Sequence, residues 1–381
     1  MVITLDSLAA QNFTTATDSH NTAVGYSAGL RVTTGVENTI IGGSAGDALT
    51  NSDGNVAVGA FALSSDTLGA RSVSVGHGAL RTQNFTTATD NYNVAVGHSA
   101  GRVITTGIKN TIIGGLAGDQ LADADFNVVV GYGALSTDDL GSKSTAVGAF
   151  ALEAQNYATA TDSHNTAVGY LAGGAVTTGV QNTLIGGLAG DALTTGGLNV
   201  AVGYQALSTD DLGSHNVAIG ANALSDMNFA TATNSNNVAV GSSAGLRVTT
   251  GTKNTFIGNA AGQLTQDSSD NTAVGNLALS GGDSGGTNTA IGAQALLVST
   301  GFDNTALGFK AGSALSSANN CLVLGHDAGV TGSPGGNLTS GNNDLVLGDE
   351  NISGANIQVS FTVASDQRDK TDFTPLDVGL D

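Results

Sequence analysis

The chain has 381 residues, of which 56 are glycine, two are proline and none is tryptophan, and only 11% are charged. The formal charge is −20 with eleven lysines and arginines in all, so the positive footprint that nucleic-acid binding needs is missing and anionic lipid would repel the surface. A single cysteine, Cys321, rules out an intrachain disulfide framework, and no apolar run reaches the ~18 residues of a membrane span.

Residues 1–20 read as a partial leading repeat. Met1 to Ala10 shows no basic segment followed by an apolar one, so no signal peptide is expected there. From Asn21 a five-residue unit recurs: Asn, then Thr or Val, a variable apolar residue, an aliphatic, and Gly, first as Asn21-Thr22-Ala23-Val24-Gly25. The closing glycines begin Gly25, Gly42, Gly59, Gly76, Gly97, with spacings of 17, 17, 17 and 21 that repeat, so four units make a period of 72 residues. Three residues after each of these glycines up to Gly325 stands alanine (Ala28, Ala45, Ala62, Ala79), followed by Gly, Gly, Leu and Leu in turn. Such a period is repeat architecture, in which no unit buries its apolar residues alone.

Each unit is short, rich in Val, Ile and Thr, and bounded by Asn and Gly, which predicts a strand. A helix would lose about 1 kcal/mol at each of the frequent glycines. The expected fold is all-β, a parallel β-roll or β-solenoid rod spanning residues 21–331. Its rungs stack at about 4.8 Å, for a length of about 85 Å. The aliphatics before the glycines (Val24, Ile41, Val58, Val75) are expected to form its continuous apolar column, and Asn21, Asn38, Asn55 and Asn93 an amide ladder at a turn.

The connecting segments differ by phase. The first carries Arg31-Val32-Thr33-Thr34-Gly35. The second supplies a lone leucine: Leu49, Leu121, Leu193 and Leu264. The third is acidic, as in Ser65-Asp66-Thr67-Leu68-Gly69, and its Asp138-Asp139 and Asp210-Asp211 read as solvated turn carboxylates, with a surface cation as the alternative. The fourth holds the four-residue insertion with a recurring aromatic at Phe13, Phe85, Tyr157 and Phe229. These rings are candidate receptor contacts, since aromatics on a projecting loop stack on sugars; the alternative is that they fold back over the rod. Residues 332–365 are expected to form a terminal β segment, with strands near Asp344 to Gly348 and Asn356 to Val363.

Catalytic and metal chemistry have little to stand on. The histidines (His20, His77, His98, His164, His215, His326) stand at no metal-ligand spacing, and His77 and His98 occupy the slot after the repeat glycine that Tyr26, Tyr132 and Tyr170 also fill, which suggests surface stacking. No pair of carboxylates is singled out for glycoside hydrolysis, and no glycine-rich loop precedes a helix. Neither a metal nor a cofactor is expected, and the chain reads as a non-enzyme.

The unit Asn-Thr-Ala-Val-Gly-Tyr-x-Ala resembles repeats of phage tail-fibre proteins and, more loosely, the head repeats of trimeric autotransporter adhesins. Ala364-Ser365-Asp366-Gln367-Arg368-Asp369-Lys370-Thr371-Asp372, with Pro375-Leu376 beyond it, is similar to the opening of the intramolecular chaperone of endosialidases and tail fibres, so residues 366–381 would be the start of that domain. The resemblance implies a homotrimeric fibre shaft on a virion that meets a host cell-surface glycan or protein. It also implies self-cleavage at Ser365-Asp366, with Ser365 as nucleophile and Lys370 as its activating partner; otherwise both are plain tail residues. A bacterial surface adhesin is the first alternative. An ice-binding solenoid is another, but it needs threonine arrayed on every layer, and the pair Thr33-Thr34 recurs once per 72 residues.

Overall fold

The computed structural model describes residues 6–333 and 336–354. Among them there is no helix. Nineteen three-residue strands form one sheet, and three pairs of two-residue strands form small sheets beside it. Each long strand pairs in parallel with its equivalent in the next coil, as Thr22, Ala23 and Val24 do with Thr39, Ile40 and Ile41. The other sides of each coil stack as well, through bonds such as Gly29 N–H to Ala45 O (2.9 Å) and Thr33 N–H to Thr50 O (2.9 Å). The molecule is a β-solenoid.

The described part of the terminal segment continues the same stack. Strand Leu345–Leu347 pairs in parallel with Leu322–Leu324. The leading residues also join: Leu8 N–H bonds Ala28 O at 3.1 Å, and Leu8 packs on the core. The expected strand at 356–363 lies outside the described residues.

The core does not consist of the aliphatics that precede the glycines. Side chains alternate across a strand, and it is the middle residue that points inward: Ile40, Ala57, Ile112, Val129 and Leu184 are fully buried, whereas Ile41, Ile113 and Ile185 are about 40% exposed. The column of preceding aliphatics exists, but on the outside.

The 72-residue period follows from how the coil interior is filled. A large middle residue (Ile40, Ile112, Leu184, Phe256) falls on the second rung of each four. On that rung and the one before it, the residue after the fixed alanine is glycine. A Cβ on Gly173 would come within 2.7 Å of the Leu184 side chain, and one on Gly262 within 2.4 Å of the Phe256 ring. On the other two rungs the middle residue is small in most copies, and the partner position holds a buried leucine such as Leu63 or Leu80. Volume taken on one side of the coil is left vacant on the other, which keeps the interior close-packed.

Two ladders run the length of the rod. The asparagine ladder is buried: the Asn110 side chain donates to Ala124 O (2.7 Å) and its Oδ1 accepts from Asn127 N–H (2.9 Å), a pattern that repeats along the rod and is interrupted at Ser72 and Ser144. Cys321 takes one place in it, buried as expected, with its N–H donating to Asn304 Oδ1. The second is a column of repeat glycines near φ +137°, each against the next backbone; a Cβ on Gly42 would stand 2.5 Å from Gly59 O.

Candidate functional site: the outward strand face and the inserted turns

The outward face of the main sheet carries two parallel rows. One holds the first strand residue, Thr, Val or Leu on all nineteen rungs; the other holds the third, Val, Ile or Leu on all nineteen. No charge interrupts either row. Residues two apart on a strand are about 7 Å apart and the stack is about 86 Å long, so the stripe covers on the order of 600 Å². A monomer's largest exposed apolar patch is normally about 300–600 Å². Threonine and valine share the first row of this face, Thr39 and Thr111 being separated by Val56, Val73 and Val94, so threonine does not stand on every layer here either. Thr33 and Thr34 bond onto the next rung, Thr34 Oγ1 to Asn51 Oδ1 at 2.7 Å.

Beside this stripe runs an aromatic edge, set by the residues just after the repeat glycines. Tyr26, Tyr132, Tyr170 and Tyr204 are more than half exposed. The expected stacking is present: the rings of His77 and His98 lie 5.3 Å apart and nearly parallel, and Phe150 meets Tyr132 and Tyr170 edge to face.

The inserted turns are tied to the rod from inside. The interior position four residues after the fixed alanine reads Val32, Leu49, Asp66 and Gln83 in successive rungs, then Ile104, Leu121, Asp138 and Gln155. A largely apolar column therefore contains a buried Asp–Gln pair just below each of these two insertions. Asp66 Oδ1 accepts from Gly69 N–H (2.9 Å) and from Phe85 N–H (3.1 Å) in the insertion, and its Oδ2 accepts from Gln83 Nε2 at 2.6 Å. Gln83 goes on to Ser72 Oγ and receives Asn93 Nδ2. Asp138 repeats this with Gly141 and Gln155. The close turn needs glycine, since a Cβ at Gly69 would meet Asp66 Oδ2 at 2.1 Å. Burial raises the Asp66 and Asp138 carboxyls above the ordinary range, and the glutamine bonds offset only part of that rise. On the surface, Arg71 pairs with Asp90 (3.1 Å) and Lys143 with Asp162 (2.5 Å), across the small two-stranded sheets.

Several sequence expectations change here. Asp138 and Asp210 are fully buried, not solvated, because the coil closes over them. Phe85, Tyr157 and Phe229 are 4–5% exposed, so these three candidate receptor contacts lie folded back on the rod, and Phe13 is half-buried. In the second phase Leu264 is half-buried, and Thr265 takes the interior position of Leu49, Leu121 and Leu193. The register counted from the fixed alanine was the signal that would have found both the Asp–Gln pairs and Thr265. Ser365, Asp366 and Lys370 lie outside the described residues.

Among the described residues, no three His, Cys, Asp or Glu side chains gather as a metal site would need, and no helix is long and apolar enough to cross a membrane. Comparison with protein-family models, curated proteins and solved structures returned no match to this chain.

Proposed function

We propose that this chain is a structural fibre shaft, of the bacteriophage tail-fibre kind, in which three copies associate along the rod and present surfaces to a host-cell receptor. The observation that carries the reading is the uncharged stripe of Thr, Val, Ile and Leu along all nineteen rungs. Left in water it is a continuous apolar surface on a thin rod. A stable interface removes about 800 Å² from each partner, which the stripe and the aromatic edge beside it together supply. The exposed rings Tyr26, Tyr132, Tyr170 and Tyr204 replace the buried insertion aromatics as the places where a receptor glycan would stack.

The test is mass in solution. Light scattering on the purified chain is expected to give three times the chain mass, and the triple variant Ile113→Lys, Ile185→Lys, Ile257→Lys should keep its β-type circular dichroism while falling to the mass of one chain. A single-chain mass for the unaltered protein at micromolar concentration would remove the fibre reading.

A second reading, an ice-binding solenoid, draws on the same face, because its threonine and valine methyls are arrayed at the rung spacing. It requires the stripe to stay open, so a single-chain mass together with thermal hysteresis in freezing-point measurements would favour it over the shaft.

A further inference from the structure

The third inserted turn keeps the glycine tie of the other two but departs from them at the glutamine, at its serine partner and at the outer ion pair. Where Gln83 and Gln155 reach Asp66 and Asp138, the corresponding residue is Met227. Asp210 is fully buried, and its Oδ1 accepts from Gly213 N–H at 3.0 Å, but its Oδ2 has no hydrogen-bond partner. The serine that receives the glutamine in the first two copies, Ser72 or Ser144, is here Asn216, which turns to Ser235, Asn237 and Asn199 instead. The outer ion pairs are gone too: Arg71–Asp90 and Lys143–Asp162 correspond to His215 and Asn234.

We propose that the turn around Asp210 is a proton-operated weak point in the rod, held closed when the Asp210 carboxyl is neutral and loosened when it ionises. A neutral carboxyl is cheap to bury, whereas a carboxylate oxygen without a donor forfeits its hydration for nothing. The titratable groups on the rungs around it offer no compensation. Asp211, next to it, raises the cost of a second charge. Asp191 on the preceding rung is also acidic, and His215 and Asp226 are exposed. Met227 brings a thioether where the other copies bring an amide donor.

The direction with pH follows. Burial pushes the Asp210 carboxyl up to about 6 from an ordinary 3.8. The folded turn therefore holds its proton at pH values where an unfolded one has released it. Its stability is greatest below pH 3.8, falls as pH rises toward about 6, and stays at the lower level above that.

Hydrogen–deuterium exchange on the full-length chain, corrected for the intrinsic rate, reads this locally. Between pH 5 and pH 7.5, protection over 209–229 is expected to drop about tenfold, a part of the full pKa displacement, while 65–85 and 137–157, whose carboxylates keep an amide donor, drop less. Met227→Gln should reduce the drop to that of the other two turns by supplying a donor, and Asp210→Asn should abolish it by removing the charge. Equal behaviour of the three turns, or a pH-dependent loss that persists in Asp210→Asn, overturns the proposal.

Discussion

Gly42→Ala is expected to break the rod locally, while Gly43→Ala, one residue along, leaves it unchanged. At Gly42 the backbone sits at φ +135°, and an added Cβ would lie 2.5 Å from Gly59 O and 2.6 Å from Gly59 C. Both are main-chain atoms of the next rung, so nothing flexible can give way. The methyl must push two rungs apart, and the bonds between them go with it, among them Gly59 N–H to Ile41 O at 2.7 Å. A loss of about 4 kcal/mol or more is in keeping with a backbone clash on top of a forbidden dihedral. Gly43 has no atom within 4 Å of its would-be Cβ, and a surface change of that kind stays within about 0.5 kcal/mol. Since a solenoid couples only neighbouring rungs, Gly42→Ala should split the thermal transition into two or lower its midpoint sharply. A single transition at the unaltered midpoint for both variants would mean that the glycines do not stack as described.

Asn110→Ala is the second large effect, and here the cost comes from what is left behind. The truncation strips Asn127 N–H of its acceptor and Ala124 C=O of its donor, both at buried sites. Each orphaned group costs about 1–3 kcal/mol, so the variant is expected to lose about 3–5 kcal/mol, measured as a fall in the urea midpoint. Asn259→Ala is the control, because Asn259 is exposed, its bond to Ser242 O is long at 3.4 Å, and the other, from Asn276 Nδ2 at 3.1 Å, lies on the exposed surface; its midpoint should barely move. If both variants unfolded alike, the ladder would be a passive consequence of the stacking and not one of its supports.

Much of this was legible in the residues. The 17-residue units, the in-register strands, the buried asparagines, the stacked His77 and His98 and the rung at Leu345–Leu347 all stand where the pattern placed them. The insertion aromatics were open between projecting and folding back over the rod, and the bond from Phe85 N–H to a carboxylate inside the rod is what decides for folding back. The acidic segments misled. Asp-Asp beside glycine is an ordinary surface turn, and only the position of Asp138 four residues after Ala134 says that it belongs to the interior column.

By itself the sequence determined that equivalent residues stack on one another, because in a one-dimensional repeat every position meets its own copy and the period is the contact pattern. Which side of the strand is inside was decided only by the closed coil. Both faces of Thr39-Ile40-Ile41 are largely apolar, so alternation alone assigns neither. The inward face is the one that meets the fixed alanines, Val32, Leu49 and the Asp–Gln pairs when the chain comes round, and those partners are more than two strand residues away in sequence. The face they leave outside is the uncharged stripe of Thr, Val, Ile and Leu.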